Sequence, residues 1–216
     1  MKKDKIKAVI FDMDGVLIDS EMIYLKAMLE FARTYRKELT EQDLVGVVGR
    51  SAKDSWTIVE QAVNNGMTWE ELRAEYRRTT SVYETTDYRR IFRPEARRVL
   101  EILKERGYGL AVASSTKLSL VKRVLEENEI IGYFDTVVSG NMFQHSKPDP
   151  EIYHFTAREL GVKEEECFVL EDSTVGITAA HRAGMTVAAL IDLRFGFDRS
   201  LADCEVGTME EILEYL

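Results

Sequence analysis

Ala8-Val9-Ile10-Phe11-Asp12-Met13-Asp14-Gly15-Val16 decides how this chain is read. Four apolar residues between Lys7 and an acid read as a buried strand, and that strand ends in two carboxylates. Residues i and i+2 of an extended chain share a side, so Asp12 and Asp14 project into one site at the strand's carboxyl end. Two like charges held that close repel unless a cation or open solvent relieves them. Gly15 then allows a sharp turn out of the strand. The pair is either a metal-assisted nucleophile with a neighbouring acid/base, or two acids capping a turn or the next helix. The rest of the chain decides between them.

Outward from this strand, short apolar runs recur at Gly109–Ala113, Thr136–Ser139, Cys167–Leu170 and Thr186–Leu190. Helical patterns separate them at Pro94–Arg106, Leu118–Asn128, Glu151–Leu160 and Thr174–Ala183. Strand and helix in alternation predict an α/β fold, a doubly wound, Rossmann-like parallel sheet covered on both faces. Residues 18–90 break the rhythm with helical patterns only, at Glu21–Tyr35, Thr40–Val47, Ser51–Asn65 and Thr68–Thr85. Thr68 and Glu71 form a capping box. The expected division is an α/β core of residues 1–17 and 91–216, with 18–90 an inserted α-helical cap over the strand ends, where open α/β sheets bind ligands. The crossings near Ile18 and Arg90 predict a hinge.

The 216 residues carry a net charge of -9, which argues against nucleic acid or an acidic membrane surface as partner. A phosphorylated substrate would therefore need local positive charge. Cys167 and Cys204 lack metal-ligand spacing, and Cys167 reads as a reduced core thiol. The basic start Met1-Lys2-Lys3-Asp4-Lys5 precedes an apolar run too short for a signal peptide, and no run reaches membrane length. A cytoplasmic protein is expected, with monomer as the default.

Three further stretches carry chemistry. Ser114-Ser115-Thr116 follows the second core strand, where hydroxyls and fresh N–H groups at a helix start either bind an anion or simply cap the helix. Lys147, set before Pro148, is either a solvated surface charge or an ammonium fixed to neutralise a phosphoryl oxygen. Glu171-Asp172 ends another buried strand, where two acids are costly unless they bind something. With Asp12 and Asp14 they make an all-oxygen cluster that suits Mg²⁺ rather than zinc or copper. Each motif falls at the carboxyl end of a different strand, so they converge on one site.

In this order, Asp12-Met13-Asp14-Gly15-Val16, Ser114, Lys147 and Glu171-Asp172 resemble the four motifs of the haloacid dehalogenase-like superfamily. The helical insert resembles its C1-type cap. Ser146-Lys147-Pro148-Asp149-Pro150-Glu151-Ile152-Tyr153 and Glu171-Asp172-Ser173-Thr174-Val175-Gly176 resemble its β-phosphoglucomutase and phosphatase branch, and the likeness covers nearly the whole chain. The resemblance implies that Asp12 is a nucleophile forming an aspartyl-phosphate, and that Asp14 protonates the leaving oxygen and then activates water. It implies that Ser114 and Lys147 hold the phosphoryl group, with the Ser115 amide an extra contact. Mg²⁺ would be bound by Asp12, the Asp14 carbonyl and Asp172, and by Glu171 directly or through water.

An acid at Asp14 points to transfer from oxygen, since the dehalogenase and phosphonatase branches, as the resemblance has it, lack one there. Lys53 falls one position out of register for a phosphonatase lysine. The positions where mutases keep a cap histidine and a phosphate-gripping arginine hold Tyr24 and Ala52, although Arg50 lies two residues from the latter. A phosphatase for a small sugar or polyol phosphate is therefore expected, with a β-phosphoglucomutase-type mutase as the alternative. A phospho-receiver module resembles a shorter chain with its aspartate on a later strand, and a dead-enzyme binding module would have lost a motif residue. Substrate choice is expected of the cap. Glu21 is placed to hydrogen-bond a substrate hydroxyl, while Asp19 and Ser20 either flank the site or cap the first cap helix. Trp56 and Trp69 read as cap core, and His145 and His181 carry no assigned role.

Overall fold

The computed structural model describes residues 5–216; Met1 to Asp4, most of the basic start, lie outside the described residues. The chain divides into two compact units, Met1–Asp19 with Tyr88–Leu216, and Ser20–Asp87.

The first unit opens with β1 (Ala8–Phe11), every residue of which is buried. The second unit is entirely helical: α1 (Glu21–Arg33), α2 (Glu41–Leu44), α3 (Ala52–Val63), α4 (Trp69–Thr79) and α5 (Val82–Thr85). The Thr68–Glu71 capping box forms as the sequence predicts, with the Thr68 N–H donating to Glu71 at 2.8 Å. Two of the expected helices are shorter. The run Thr68–Thr85 breaks because Thr80 is extended (φ -110°, ψ 130°) in the Thr79-Thr80-Ser81 stretch. Such β-branched and hydroxylated residues disfavour a helix interior. Thr40–Val47 keeps one α turn and ends as a 3-10 turn over Val45–Val47, around Gly46. Trp56 packs edge-on against Phe31 and tilted against Tyr76, at 6.0 and 5.1 Å, forming the core of this unit. Trp69 is only half-buried.

Back in the first unit the order is α6 (Glu95–Glu105), β2 (Gly109–Ser114), α7 (Leu118–Glu127), β3 (Thr136–Ser139), α8 (Glu151–Leu160), β4 (Cys167–Glu171), α9 (Thr174–Arg182), β5 (Thr186–Leu190) and β6 (Cys204–Val206). All five pairings are parallel, in the order β3-β2-β1-β4-β5-β6. The short edge strand β6 is absent from the sequence reading. Alternating residues divide between the two faces. Val9, Phe11, Leu110, Val112, Phe168 and Leu170 share one cluster with α6 and α7 residues such as Leu100 and Val124. Ala8, Ile10, Ala111, Ala113, Cys167 and Val169 share the other with Tyr153, Ala157 and Ile177 of α8 and α9. Cys167 is a buried free thiol.

The sheet runs outward from β1 in both directions, through β2 on one side and β4 on the other, so its switch point lies between β1 and β4. Ligands of open α/β sheets bind at the strand carboxyl ends beside such a point. The segments leaving and re-entering this unit pair with each other. The Asp19 N–H donates to the Ile91 carbonyl at 2.8 Å, and the Arg93 N–H to that of Leu17 at 3.0 Å. No helix among the described residues is long and apolar enough to cross a membrane.

Candidate active site

Register sets the site. Phe11 pairs with Val112 on one side and Leu170 on the other, so the residues that follow, Asp12, Ala113 and Glu171, emerge side by side. The Asp12 N–H continues the ladder to the Leu170 carbonyl at 3.0 Å. One carboxylate oxygen each from Asp12, Glu171 and Asp172 lies within 4.8 Å of the others, and all three residues are buried.

Lys147, 4% exposed, reaches this cluster from the loop after β3. Its ammonium donates to Asp12 Oδ1 at 2.7 Å, to Glu171 Oε1 at 2.7 Å and to the Ala113 carbonyl at 2.9 Å. The surface-charge reading of Lys147 is thereby excluded. Burial pushes the Asp12 carboxyl up to about 8; Lys147 pulls it down, while Glu171 and Asp14 add to the rise. Burial alone would lower the Lys147 ammonium, but Asp12 and Glu171 hold it well above the ordinary lysine value. The two rises differ in origin: burial dominates at Asp12, whereas at Lys147 the neighbouring carboxylates overcome burial.

Asp14 sits two residues beyond Asp12 and accepts a hydrogen bond from Thr116 Oγ1 at 2.8 Å. Gly15 has φ +80°, and a Cβ there would lie 2.0 Å from Asp172 Oδ2, so glycine is required by conformation and by space. Arg93 holds the Gly15 carbonyl with two guanidinium N–H groups, at 2.9 and 3.2 Å. Ser114 is buried at the end of β2, its hydroxyl accepting from the Thr116 N–H at 3.1 Å, while Ser115 is exposed. Glu171 Oε2 accepts from the Asp172 N–H, the Ser173 N–H and Ser173 Oγ at 3.1 to 3.2 Å. Ser173 Oγ in turn caps α9 by accepting from the Gly176 N–H at 3.1 Å.

Of the residues marked from sequence, Asp12, Lys147, Glu171 and Asp172 meet directly, with Asp14 and Ser114 joined to them through strand ends and Thr116. Glu21, half-buried, and Arg50, exposed, belong to the helical unit. Glu21 starts α1, and the Arg50 Nε–H donates to the Gly46 carbonyl at 2.6 Å. Ser20 occupies the N-cap position of α1 without a side-chain cap bond, and the Asp19 carboxylate takes two bonds from Arg194, at 2.6 and 3.1 Å. The capping reading of Asp19 is replaced by this ion pair. Thr116, Arg93 and Tyr153 have clear places in the site that the sequence reading does not assign. Tyr153 ends the stretch Ser146–Tyr153, yet its spacing with the other buried residues of α8 marks it only as core.

The parallel sheet thus carries a buried ammonium, an acid pair after β1 and a second acid pair at the end of β4. Residues 9–190 match the haloacid dehalogenase-like hydrolase family, and the chain belongs to it. Similar proteins include a phosphorylated carbohydrates phosphatase of Thermotoga maritima, 33% identical over 98% of this chain and 98% of the relative. Hexitol phosphatase B of Escherichia coli is 31% identical over 96% of this chain and 95% of its own length. Among solved structures, β-phosphoglucomutase from Clostridium difficile superposes with a TM-score of 0.78 over 97% of this chain and 96% of that one. At 23% identity that likeness speaks for the fold alone.

Proposed function

We propose that this protein is a Mg²⁺-dependent phosphatase that hydrolyses a small sugar or polyol phosphate through an aspartyl-phosphate on Asp12. The observation that carries it is the Lys147 ammonium, buried and bonded to both Asp12 and Glu171 at the switch point of the sheet.

The donor set fits a hard divalent cation. Asp12, Glu171 and Asp172 offer only carboxylate oxygens, and nitrogen and sulfur ligands are absent from this cluster. Asp12 and Asp172, with the Asp14 carbonyl, would hold the ion. Glu171, whose oxygens together accept five hydrogen bonds, suits contact through water. Mg²⁺ there would supply the positive charge that lets an anionic nucleophile meet an anionic phosphoryl group.

Asp12 Oδ1 is committed to Lys147, which orients the carboxylate and leaves Oδ2 to attack phosphorus. The ester oxygen departs with a proton from Asp14, whose carboxylate is steadied by Thr116. Asp14, now ionised, takes a proton from the water that opens the Asp12 acyl phosphate, releasing inorganic phosphate. Covalent capture splits one hard displacement into two easier ones. Ser114 ends β2 and the exposed Ser115 follows it, in the turn that leads to α7; the Ser114 hydroxyl and the Ser115 amide are suited to steady the phosphoryl oxygens.

Glu21 and Arg50 are the proposed substrate contacts of the helical unit. The names of the carbohydrate and hexitol phosphatases favour a sugar or polyol phosphate. Tyr24 and Ala52, where mutases keep histidine and arginine, favour hydrolysis over isomerisation.

The test is phosphate release from a panel of sugar and polyol phosphates with and without Mg²⁺, alongside Asp12→Asn. Release should need Mg²⁺ and vanish in the variant, with a radiolabelled aspartyl-phosphate trapped by acid quench only in the wild type. Conversion of β-glucose 1-phosphate to glucose 6-phosphate without net release would replace the reading by a mutase. Turnover that survives Asp12→Asn would end the nucleophile assignment.

A further inference from the structure

An ammonium has three N–H groups, and all three of Lys147 are spent, on Asp12 Oδ1, Glu171 Oε1 and the Ala113 carbonyl. Lys147 therefore cannot offer a hydrogen bond to a phosphoryl oxygen without leaving one of these acceptors. Asp12 is a poor one to leave, because that bond orients the nucleophile, and among the described residues no other side chain donates to its carboxylate. The Ala113 carbonyl is fixed backbone within β2. Glu171 differs. Its Oε1 also accepts from the Tyr153 hydroxyl at 2.9 Å, and its Oε2 is held by Asp172 and Ser173. It is the acceptor that stays bonded when Lys147 lets go.

Tyr153 is built for that service. It is fully buried on α8, where a phenylalanine would fill the same apolar space. A buried hydroxyl costs stability unless it is bonded, so its presence here marks a use. Its ring also lies 5.0 Å from the Lys147 ammonium, a cation–π distance that steadies the charge as it turns.

We propose that Tyr153 is a positioning residue that keeps Glu171 satisfied while Lys147 transfers one N–H from Glu171 Oε1 to the phosphoryl oxygen. No covalent bond changes; one hydrogen bond is exchanged for another. The inference rests on the phosphatase reading above, because the exchange has no purpose without a phosphoryl group.

Tyr153→Phe keeps the ring and removes the donor. With Mg²⁺ and p-nitrophenyl phosphate, kcat should fall about ten- to hundred-fold, the effect of one buried hydrogen bond to a charged group, while KM stays within about two-fold. A purely structural tyrosine would not alter how Lys147 responds to a phosphoryl mimic. That response is read from the ¹⁵N-labelled Lys147 amine signal on adding beryllofluoride with Mg²⁺. It should shift in the wild type and shift much less in Tyr153→Phe. Unchanged kcat with an unchanged Lys147 response overturns the proposal, as does a rise in KM at constant kcat. Should the variant not fold, 3-fluorotyrosine at position 153 of the otherwise native chain decides, since its ¹⁹F signal must move when beryllofluoride binds. Failure of the phosphatase reading is recognised separately, by a wild type that releases no phosphate from any substrate tested.

Discussion

The strand ends of the sheet and the helical unit Ser20–Asp87 are held together by opposite means. In the helical unit the interior is apolar and aromatic, with Leu25, Leu44, Val59, Trp56 and Tyr76 buried and Ser20 and Ser55 its buried polar residues among those described. At the strand ends and in the loop after β3, Asp12, Ser114, Lys147, Glu171 and Asp172 are all buried. Burying charges taxes stability even when they are paired, whereas well-packed apolar side chains of similar volume often stabilise. The helical unit is thus held by apolar packing, whereas the strand ends keep buried charges at a cost in stability.

The largest effect should come from breaking the charge balance. Lys147→Met removes the cation from two buried carboxylates, and losing one partner of a buried pair costs about 3–5 kcal/mol. Denaturant unfolding of metal-free protein measures this. Mg²⁺ should raise the melting temperature of Lys147→Met more than that of the wild type, because the ion replaces part of the missing charge. An equal Mg²⁺ shift in both would mean that the ion is not held against these carboxylates.

A second pair of substitutions sharpens the contrast at constant backbone geometry. Gly15 and Gly66 have nearly the same dihedral, φ +80° and +87°. A Cβ on Gly66, in the helical unit, meets nothing within 4 Å, while one on Gly15 overlaps Asp172 Oδ2. Gly66→Ala should cost the backbone strain alone, about 1–2 kcal/mol. Gly15→Ala should add about 1–3 kcal/mol for overpacking, and should abolish turnover by displacing a metal carboxylate. Calorimetric unfolding of the two variants tests this, and equal costs would show that Asp172 moves aside freely.

The same contrast explains what could be read from residues alone. Acids directly after an apolar run must emerge at a strand end, because alternation and burial leave them no other place, so Asp12, Glu171 and Asp172 were legible. Lys147 stays open between a surface charge and a fixed ammonium when read from its neighbours, and only the resemblance of Ser146–Tyr153 to a family motif gives it a role. The positioning residues were not legible, since their meaning lies in partners far along the chain. Thr116 bonds Asp14 across 102 residues, Arg93 bonds Gly15 across 78, and Arg194 bonds Asp19 across 175. A hydroxyl or an arginine reads as a cap or a surface charge until that partner is known. Edge strand β6 is three residues long with an exposed middle, too short for any period to register. The break between α4 and α5 depends on the single extended residue Thr80.

The smallest expected effect lies at the exit from the first unit, where charge is again concentrated but now near solvent. Arg194, whose side chain is 41% exposed, bridges Asp19 and the nearly buried Asp192. Burial would raise Asp192, but the Arg194 hydrogen bonds and charge outweigh it and hold its carboxyl below the ordinary value. A carboxyl depressed by folding stabilises the protein above its ordinary titration range, and the contribution is lost as pH falls through the folded value. Arg194→Met should therefore lower stability at about pH 7 by about 1 kcal/mol or less, since solvent screens an exposed cation. The gap to the wild type should close only in strong acid, as pH falls through the depressed folded value of Asp192 and its bridge to Arg194 loses its charge. Urea midpoints at neutral pH and in strong acid measure it. A gap that persists in acid would assign the contribution to packing of the Arg194 stem on Phe195, whose ring centre lies 5.4 Å from the guanidinium, rather than to charge.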